Sequence, residues 1–137
     1  MDLTIWRRHT ASRFNVEVTR DKVPIQSLEA AYMVTPETGY IKISRFAANT
    51  HEKFSDALRH LKSEGMENLV LDLRGNGGGY MRVALDITDE FLGRGQLMLF
   101  TEGAAIARRE HLASSGGLWQ KGDLVILTAK ELGKMAL

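Results

Sequence analysis

The chain has 137 residues, room for one domain, with 44% hydrophobic and 26% charged residues and a formal net charge of +1. These values exclude a disordered, collagen-like or coiled-coil chain, and the balanced charge favours neither a nucleic-acid nor a membrane partner. Because there is no cysteine and no apolar stretch approaches the roughly 20 residues that cross a bilayer, disulfides, cysteine nucleophiles and a membrane span are also excluded.

The N-terminal segment predicts a β-hairpin. A first strand is expected over residues 3–6 and a second over residues 14–20, where apolar and polar residues alternate as in a half-buried strand. The sequence DKVP at residues 21–24 interrupts this pattern, because proline cannot donate to a sheet ladder. We therefore place a boundary there and expect residues 1–24 and residues 25–137 to be separate units.

Two strands and an amphipathic helix are predicted next. The strands are expected over residues 30–34 and 40–44, on either side of a turn-like stretch. The helix is expected to begin near Asn49 or Thr50 and to end at Gly65. Its apolar residues recur at the spacing of one helical face, at Phe54, Ala57, Leu58 and Leu61.

The second half predicts further alternation of strands and helices. A continuous apolar run at residues 69–73 is typical of a strand covered on both faces, and a helix is expected over residues 80–92. Its expected core face consists of Met81, Ala84, Leu85, Thr88 and Leu92. A buried strand at residues 97–100, a polar excursion at residues 101–121 and a last strand at residues 124–127 follow. This order predicts an α/β fold with a mostly parallel sheet and crossover helices.

The most informative feature is a glycine loop between the strand at 69–73 and the following helix. Four of the thirteen glycines lie between residues 75 and 79. Glycine permits positive φ angles and close approach of a ligand to the backbone, and a helix N-terminus presents unpaired N–H groups. The loop therefore predicts an anion or oxyanion site, with a flexible turn as the alternative.

Named phosphate loops fit this segment poorly. The loop of nucleoside triphosphatases requires a Lys-Ser or Lys-Thr pair, which does not follow here. The dinucleotide pattern G-x-G-x-x-G accommodates Gly75 and Gly77 but meets Tyr80 at its third glycine. Glu102 could then act as the acid that binds the ribose. A dinucleotide-binding domain is kept as an alternative.

Several polar residues are candidates for supporting roles. Asp72 and Arg74 share one side of a strand by its period of two, which predicts a structural ion pair that holds the loop. His51 and His60 lack the spacing of a helical metal pair and are expected to face solvent. The Ser114-Ser115 pair is expected in a surface segment, and Trp119 is expected to anchor the polar excursion against the sheet.

Ordered motifs along the chain resemble one family. The run LDLRGNGGG at residues 71–79 matches the signature D-L-R-x-N-x-G-G, and GYIKISRF at residues 39–46 matches G-Y-I-x-I-x-x-F. These are motifs of the C-terminal processing peptidases, or tail-specific proteases, a family of serine endopeptidases. Residues 18–25 resemble the end of the PDZ domain that precedes the protease core in this family.

The resemblance implies a serine–lysine mechanism on a polypeptide substrate, without metal or organic cofactor. A serine attacks the peptide carbonyl, and an uncharged lysine removes its proton. The paired glycines of the signature, here Gly78 and Gly79, would supply an oxyanion-hole N–H, with Asp72, Arg74 and Asn76 in support. Family members mostly work outside the cytoplasm.

One departure from the family pattern limits this expectation. In the family, a strand such as 124–127 leads into S-A-S-A-S-E, which carries the nucleophile, whereas this chain continues TAKELGKMAL. Lys130 and Lys134 do not match the catalytic lysine by spacing. We therefore expect an incomplete protease core, preceded by the last two strands of a PDZ domain and inactive alone. A non-catalytic module that self-associates through exposed strand edges is the second alternative.

Overall fold

The structure is a computed structural model that describes residues 2–8, 13–19, 26–114 and 116–129. It contains a two-stranded sheet, a four-stranded sheet and a second two-stranded sheet. The elements in chain order are β1 (Asp2–Trp6), β2 (Arg13–Glu17), β3 (Leu28–Met33), β4 (Thr38–Ile43), α1 (Thr50–Ser63), β5 (Asn68–Asp72), α2 (Met81–Asp89), β6 (Leu97–Gly103), β7 (Ile106–Leu112) and β8 (Leu124–Leu127).

The N-terminal hairpin forms as predicted. Strands β1 and β2 pair antiparallel, with Asp2 opposite Glu17 and Trp6 opposite Arg13. Its assignment to a PDZ domain stays a prediction. The boundary expected at residues 21–24 falls outside the described residues.

The four-stranded sheet has the order β3-β4-β5-β8. The predicted parallel core is confirmed for β4, β5 and β8, whereas β3 pairs antiparallel with β4. This mixture follows from the connections. A tight turn joins β3 to β4, in which the N–H groups of Glu37 and Thr38 donate to Thr35 Oγ1. Parallel neighbours need a longer crossover, supplied by α1 between β4 and β5.

Helix α1 covers one face of this sheet. Its N-cap is Asn49, and the chain leaves the helix through Gly65, whose φ of 98° is the left-handed conformation expected of a helix stop. Alternate residues of β4 and β5 point to the helix. Each buried apolar side chain stabilises the folded state by about 2 kcal/mol, because its surface is removed from water. The buried cluster includes Ile41, Ile43, Phe54, Leu58, Leu61, Leu69 and Leu71.

Helix α2 is shorter than predicted and turns a different face inward. It ends at Asp89 rather than at residue 92. Val83 and Ile87 are its buried residues, whereas Met81, expected in the core, is about half exposed. The i, i+4 pair Val83–Ile87 belongs to the main buried cluster.

The prediction of a polar excursion at residues 101–121 is wrong for the first half of this range. Strands β6 and β7 form an antiparallel hairpin there, with Phe100 opposite Glu110. The strand expected at residues 97–100 is confirmed as part of β6, but its expected burial is wrong, because β6 pairs with β7 outside the four-stranded sheet and leaves Leu97 and Phe100 about half exposed. Trp119 is buried in the main cluster, so its predicted anchoring role is confirmed.

Strand β8 lies at one edge of the four-stranded sheet. Val125 and Ile126 on this strand are each about half exposed. In the part of the chain that the structure describes, no helix combines the length and apolar character needed to span a membrane.

Candidate functional site

The glycine loop begins at a buried carboxylate at the end of β5. Asp72 is 1% exposed, and its Oδ1 accepts hydrogen bonds from the backbone N–H of Arg74 at 2.9 Å and from Arg74 Nε at 3.0 Å. Its Oδ2 accepts from Arg74 Nη2 at 2.7 Å and from the Tyr40 hydroxyl at 2.6 Å. The predicted Asp72–Arg74 ion pair is therefore confirmed, and Tyr40 on β4 completes it.

These contacts keep Asp72 ionised. Hydrogen bonds from the Arg74 guanidinium lower the pKa of Asp72 well below its usual range, with help from Tyr40, although burial acts in the opposite direction. The same contacts raise the pKa of Arg74, and the hydrogen bond to Asp72 raises that of Tyr40. A carboxylate this acidic does not exchange protons near neutral pH, so Asp72 acts as a fixed anchor for the loop.

Asn76 joins the loop to the neighbouring strand β4. Its Nδ2 donates to the carbonyl oxygen of Ile43 at 3.1 Å, and its Oδ1 accepts from the N–H of Gly78 at 2.7 Å. Both bonds are buried. The amide of an asparagine carries both a donor and an acceptor on one short side chain, and both are used here.

The loop then runs alongside the segment that follows β4. Phe46 donates its N–H to the Gly78 carbonyl at 3.0 Å and accepts from the Tyr80 N–H at 2.8 Å, so that Gly79 forms a parallel bridge with Phe46. Gly79 has a φ of 146°, and a Cβ there would overlap the Phe46 carbonyl group. Gly77 by contrast has no atom near the position of a Cβ. Of these two positions, only Gly79 requires glycine on steric grounds.

The backbone donors of the paired glycines differ in their bonding. The Gly78 N–H is taken up by Asn76. The Gly78 carbonyl group and the Tyr80 N–H, on either side of Gly79, both bond to Phe46. In a parallel ladder, the N–H of the residue between them points away from the partner strand, so the Gly79 N–H points away from Phe46. Among the described residues no acceptor bonds this N–H. Helix α2 begins two residues later, with no acidic side chain in its first turn.

A cavity of about 410 Å³ adjoins these groups. Its described lining consists of the glycine loop from Gly77 to Tyr80 and the facing segment Arg45, Phe46 and Ala47. A free backbone N–H beside a cavity of this size is an arrangement that can receive a carbonyl oxygen on which negative charge develops.

The dinucleotide alternative is wrong. It requires β5, α2 and the next strand to form one unit within a single sheet, with the acid at the end of that strand. In the structure β6 is absent from the four-stranded sheet, where β5 lies between β4 and β8. Glu102 on β6 is exposed in the separate hairpin.

A second polar cluster joins α1 to the end of α2. It contains His51, so the expectation that His51 faces solvent is wrong. His51 Nε2 lies 2.8 Å from Glu90 Oε1, which also accepts from the Ser55 hydroxyl at 3.0 Å. Glu90 Oε2 accepts from the Leu118 N–H at 2.8 Å. Burial opposes ionisation of Glu90, but these donors outweigh it and lower its pKa. His60 remains exposed, as predicted, 3.6 Å from Glu64.

This cluster resembles a serine–histidine–acid triad only in composition. A relay requires serine and carboxylate on opposite ring nitrogens of the histidine. Here Ser55 Oγ, at 3.4 Å, and Glu90 both approach Nε2 of His51. The cluster therefore joins α1, the end of α2 and the segment at Leu118 structurally.

Of the remaining candidates, the structure describes Ser114. The Ser114 hydroxyl donates to Asp89 at 2.5 Å, which fixes it as a surface contact. Ser115, Lys130 and Lys134 lie outside the described residues.

Solved structures share this architecture. The photosystem II D1 C-terminal processing protease superposes with a TM-score of 0.65 and 23% identity, over 93% of this chain and 36% of that one. A putative S41 protease from Bacteroides fragilis also gives a TM-score of 0.65, with 16% identity over 92% of this chain and 39% of that one. The chain thus shares its α/β fold with both structures.

Sequence comparison gives the family. The model of peptidase family S41 matches residues 37–132, more than half of the chain. The carboxy-terminal processing protease CtpB of Bacillus subtilis is 33% identical over 98 residues, covering 70% of this chain and 20% of the relative. CtpA of the same species is 28% identical over 95 residues, covering 69% and 20%. The chain belongs to peptidase family S41, and it spans about a fifth of the length of these curated relatives.

Proposed function

We propose that this chain is part of a serine endopeptidase that cleaves polypeptides near their C-termini, and that its glycine loop stabilises the oxyanion. Family membership supports the reaction class. The observation that carries the role of the loop is the Gly79 N–H, which borders a cavity and has no acceptor among the described residues.

The proposed reaction is nucleophilic acyl transfer. A serine hydroxyl attacks the peptide carbonyl carbon, an uncharged lysine takes the hydroxyl proton, and the carbonyl oxygen gains negative charge. Gly79 donates its N–H to that oxygen, while the bond from Gly78 to Asn76 fixes the preceding peptide unit. Collapse of the intermediate expels the amine, which takes a proton from the lysine, and water then hydrolyses the acyl-enzyme.

The locked geometry of the loop supports this assignment. An oxyanion donor lowers the barrier because it is already oriented before charge develops. Asp72, Asn76 and Phe46 hold the loop from three directions through buried or half-buried hydrogen bonds. The loop therefore does not need to reorganise during the reaction.

The present sequence contains no match to the serine motif of the family, so we propose that residues 1–137 alone do not hydrolyse peptides. Purified chain incubated with an unstructured polypeptide should leave it intact in mass spectra. Steady cleavage that is abolished by a serine-directed inhibitor would contradict this expectation.

A chimera tests the role of the loop. In this chimera, the matching residues of this chain replace the corresponding segment of Bacillus subtilis CtpB, and the rest of that protease is kept. We expect the chimera to cleave an unstructured polypeptide. Gly79→Ala keeps the backbone N–H, but the added Cβ overlaps the Phe46 carbonyl group and should displace that donor, so kcat should fall by about 100-fold or more, as when one oxyanion donor is lost. Gly77→Ala is the matched control, since its added methyl group meets no atom.

Thermal melting separates catalysis from folding in this experiment. A Gly79→Ala chimera that melts at a lower temperature than its parent, is still folded at the assay temperature and has lost kcat supports the proposal. A folded parent chimera without activity, or a Gly79→Ala chimera with full kcat, would contradict it.

The edge of the sheet favours a second, compatible role in self-association. Strand β8 carries the half-exposed Val125 and Ile126, and among the described strands it pairs only with β5. An apolar sheet edge can pair with a second copy. Light scattering should then show dimers whose population falls when Val125 is replaced by Lys, and a monomer at high concentration would exclude this role.

A further inference from the structure

Arg45 is placed beside the glycine loop by the backbone on both of its sides. Its own carbonyl oxygen accepts from the Thr50 hydroxyl at 3.2 Å, at the start of α1. The next residue, Phe46, is bonded to the loop through both its N–H and its carbonyl group. The Arg45 residue is exposed and lines the same cavity as the loop.

The charge of Arg45 is not compensated within the described part of the molecule. Three basic side chains, on β4, in the glycine loop and on α2, have carboxylate partners: Lys42 pairs with Glu29, Arg74 with Asp72 and Arg82 with Asp86. No carboxylate of the described residues pairs with Arg45, and no aspartate or glutamate belongs to the described lining of the cavity. The cavity therefore carries one uncompensated positive charge.

We infer that Arg45 binds a carboxylate of the polypeptide in this cavity, so that the site prefers segments that carry an acidic group close to the loop. This inference rests on the proposed function of the same site. A guanidinium and a carboxylate form two parallel hydrogen bonds, which gives direction as well as attraction. The group bound is either the α-carboxylate at a chain end or the side chain of an internal Asp or Glu.

Peptide binding to purified chain 1–137 tests the inference and separates these two sources. Labelled peptides of one sequence would end in a free α-carboxylate, in an amide, or in an amide with a glutamate as the penultimate residue. Fluorescence anisotropy at low and at physiological salt gives the dissociation constants. We expect at least one carboxylate-bearing peptide to bind about five- to tenfold more tightly than the plain amide, with less preference at higher salt.

Substitutions assign this preference to Arg45. In Arg45→Gln the carboxylate-bearing peptide should bind no more tightly than the amide, and Arg45→Lys should retain part of the preference. Arg94→Gln is the matched control, because Arg94 is also exposed but does not belong to the described lining of the cavity. The preference should persist in that variant.

The outcomes distinguish this inference from the proposed function. Preference for the free α-carboxylate alone identifies chain ends as the ligand, and preference for glutamate identifies internal acidic residues. Equal binding of all peptides, a preference that survives Arg45→Gln, or no binding of either carboxylate peptide overturns the inference. The proposed function is judged separately by cleavage in the CtpB chimera, with a substrate that has no acidic group near the scissile bond.

Discussion

The glycine loop and the β6–β7 hairpin both lie between β5 and β8 in the chain, yet they are held in different ways. In the loop, the polar side chains of Asp72 and Asn76 are buried and bonded to backbone groups. In the hairpin, Arg108 stacks 4.0 Å from the Phe100 ring centroid and pairs with Glu110, all at the surface.

This difference indicates which polar contacts contribute to the free energy of unfolding. A hydrogen bond to a buried group is costly to remove because the partner stays desolvated. An exposed ion pair contributes little, since water and salt replace it. The loop should therefore respond strongly to single substitutions and the hairpin weakly, although both contain arginine–carboxylate pairs.

Among substitutions in the glycine loop and the β6–β7 hairpin, Gly79→Ala should have the largest effect on stability. The added Cβ overlaps the Phe46 carbonyl group at a φ that side chains rarely adopt, so strain and displacement together should lower the free energy of unfolding by about 3–4 kcal/mol. Urea denaturation measures the change. Gly77→Ala should stay within about 0.5 kcal/mol of the parent. Equal losses in both variants would mean that the Phe46 contact does not constrain the loop.

Asp72→Asn should come next, with a loss of about 2–3 kcal/mol at neutral pH, because Arg74 and Tyr40 lose a charged acceptor. This expected loss is smaller than that for breaking a fully buried ion pair, because the Arg74 side chain is 59% exposed.

The pH dependence of stability gives an independent reading of Asp72. The folded-state pKa of Asp72 lies below its unfolded value of about 4, so its contribution is complete above that value and declines as the pH falls below it. The gap between parent and Asp72→Asn should therefore narrow in acid. A gap that stays constant from neutral pH to below pH 3 would contradict the ion pair as its cause.

Asn76→Ala should lower the free energy of unfolding by about 2 kcal/mol, because the Ile43 carbonyl and the Gly78 N–H both lose buried partners. The exposed Asn15, which accepts a bond from Thr4 in the N-terminal hairpin, is the control. Asn15→Ala should change stability by less than about 0.5 kcal/mol. A larger loss in Asn15→Ala than in Asn76→Ala would reverse the comparison.

Phe100→Ala should have the smallest effect, less than about 1 kcal/mol, because its ring is half exposed and its main partner is the surface Arg108. For comparison, Phe54→Ala removes a fully buried ring and should cost about 3–5 kcal/mol. Chemical denaturation of both variants side by side provides the test. A loss at Phe100 as large as at Phe54 would show that the hairpin packs as core.

Sequence patterns predicted the elements whose burial is periodic. Strands β4 and β5 and helix α1 have regular apolar spacing, and the local Asp72–Arg74 pair follows from a period of two. Strand β7 and its pairing with β6 were missed because exposed strands need no apolar alternation. The Asn76–Ile43 and His51–Glu90 contacts join residues far apart in the chain, and only the tertiary fold brings them together.

Native-state amide hydrogen exchange at the glycine loop tests the central claim most directly. The Gly78 and Tyr80 N–H groups donate to Asn76 and Phe46 and should be strongly protected, whereas the N–H of Gly79 between them should exchange far faster. This pattern would identify a fixed loop that presents one free donor. Equal protection at all three amides, or fast exchange at all three, would contradict a preorganised oxyanion donor at Gly79.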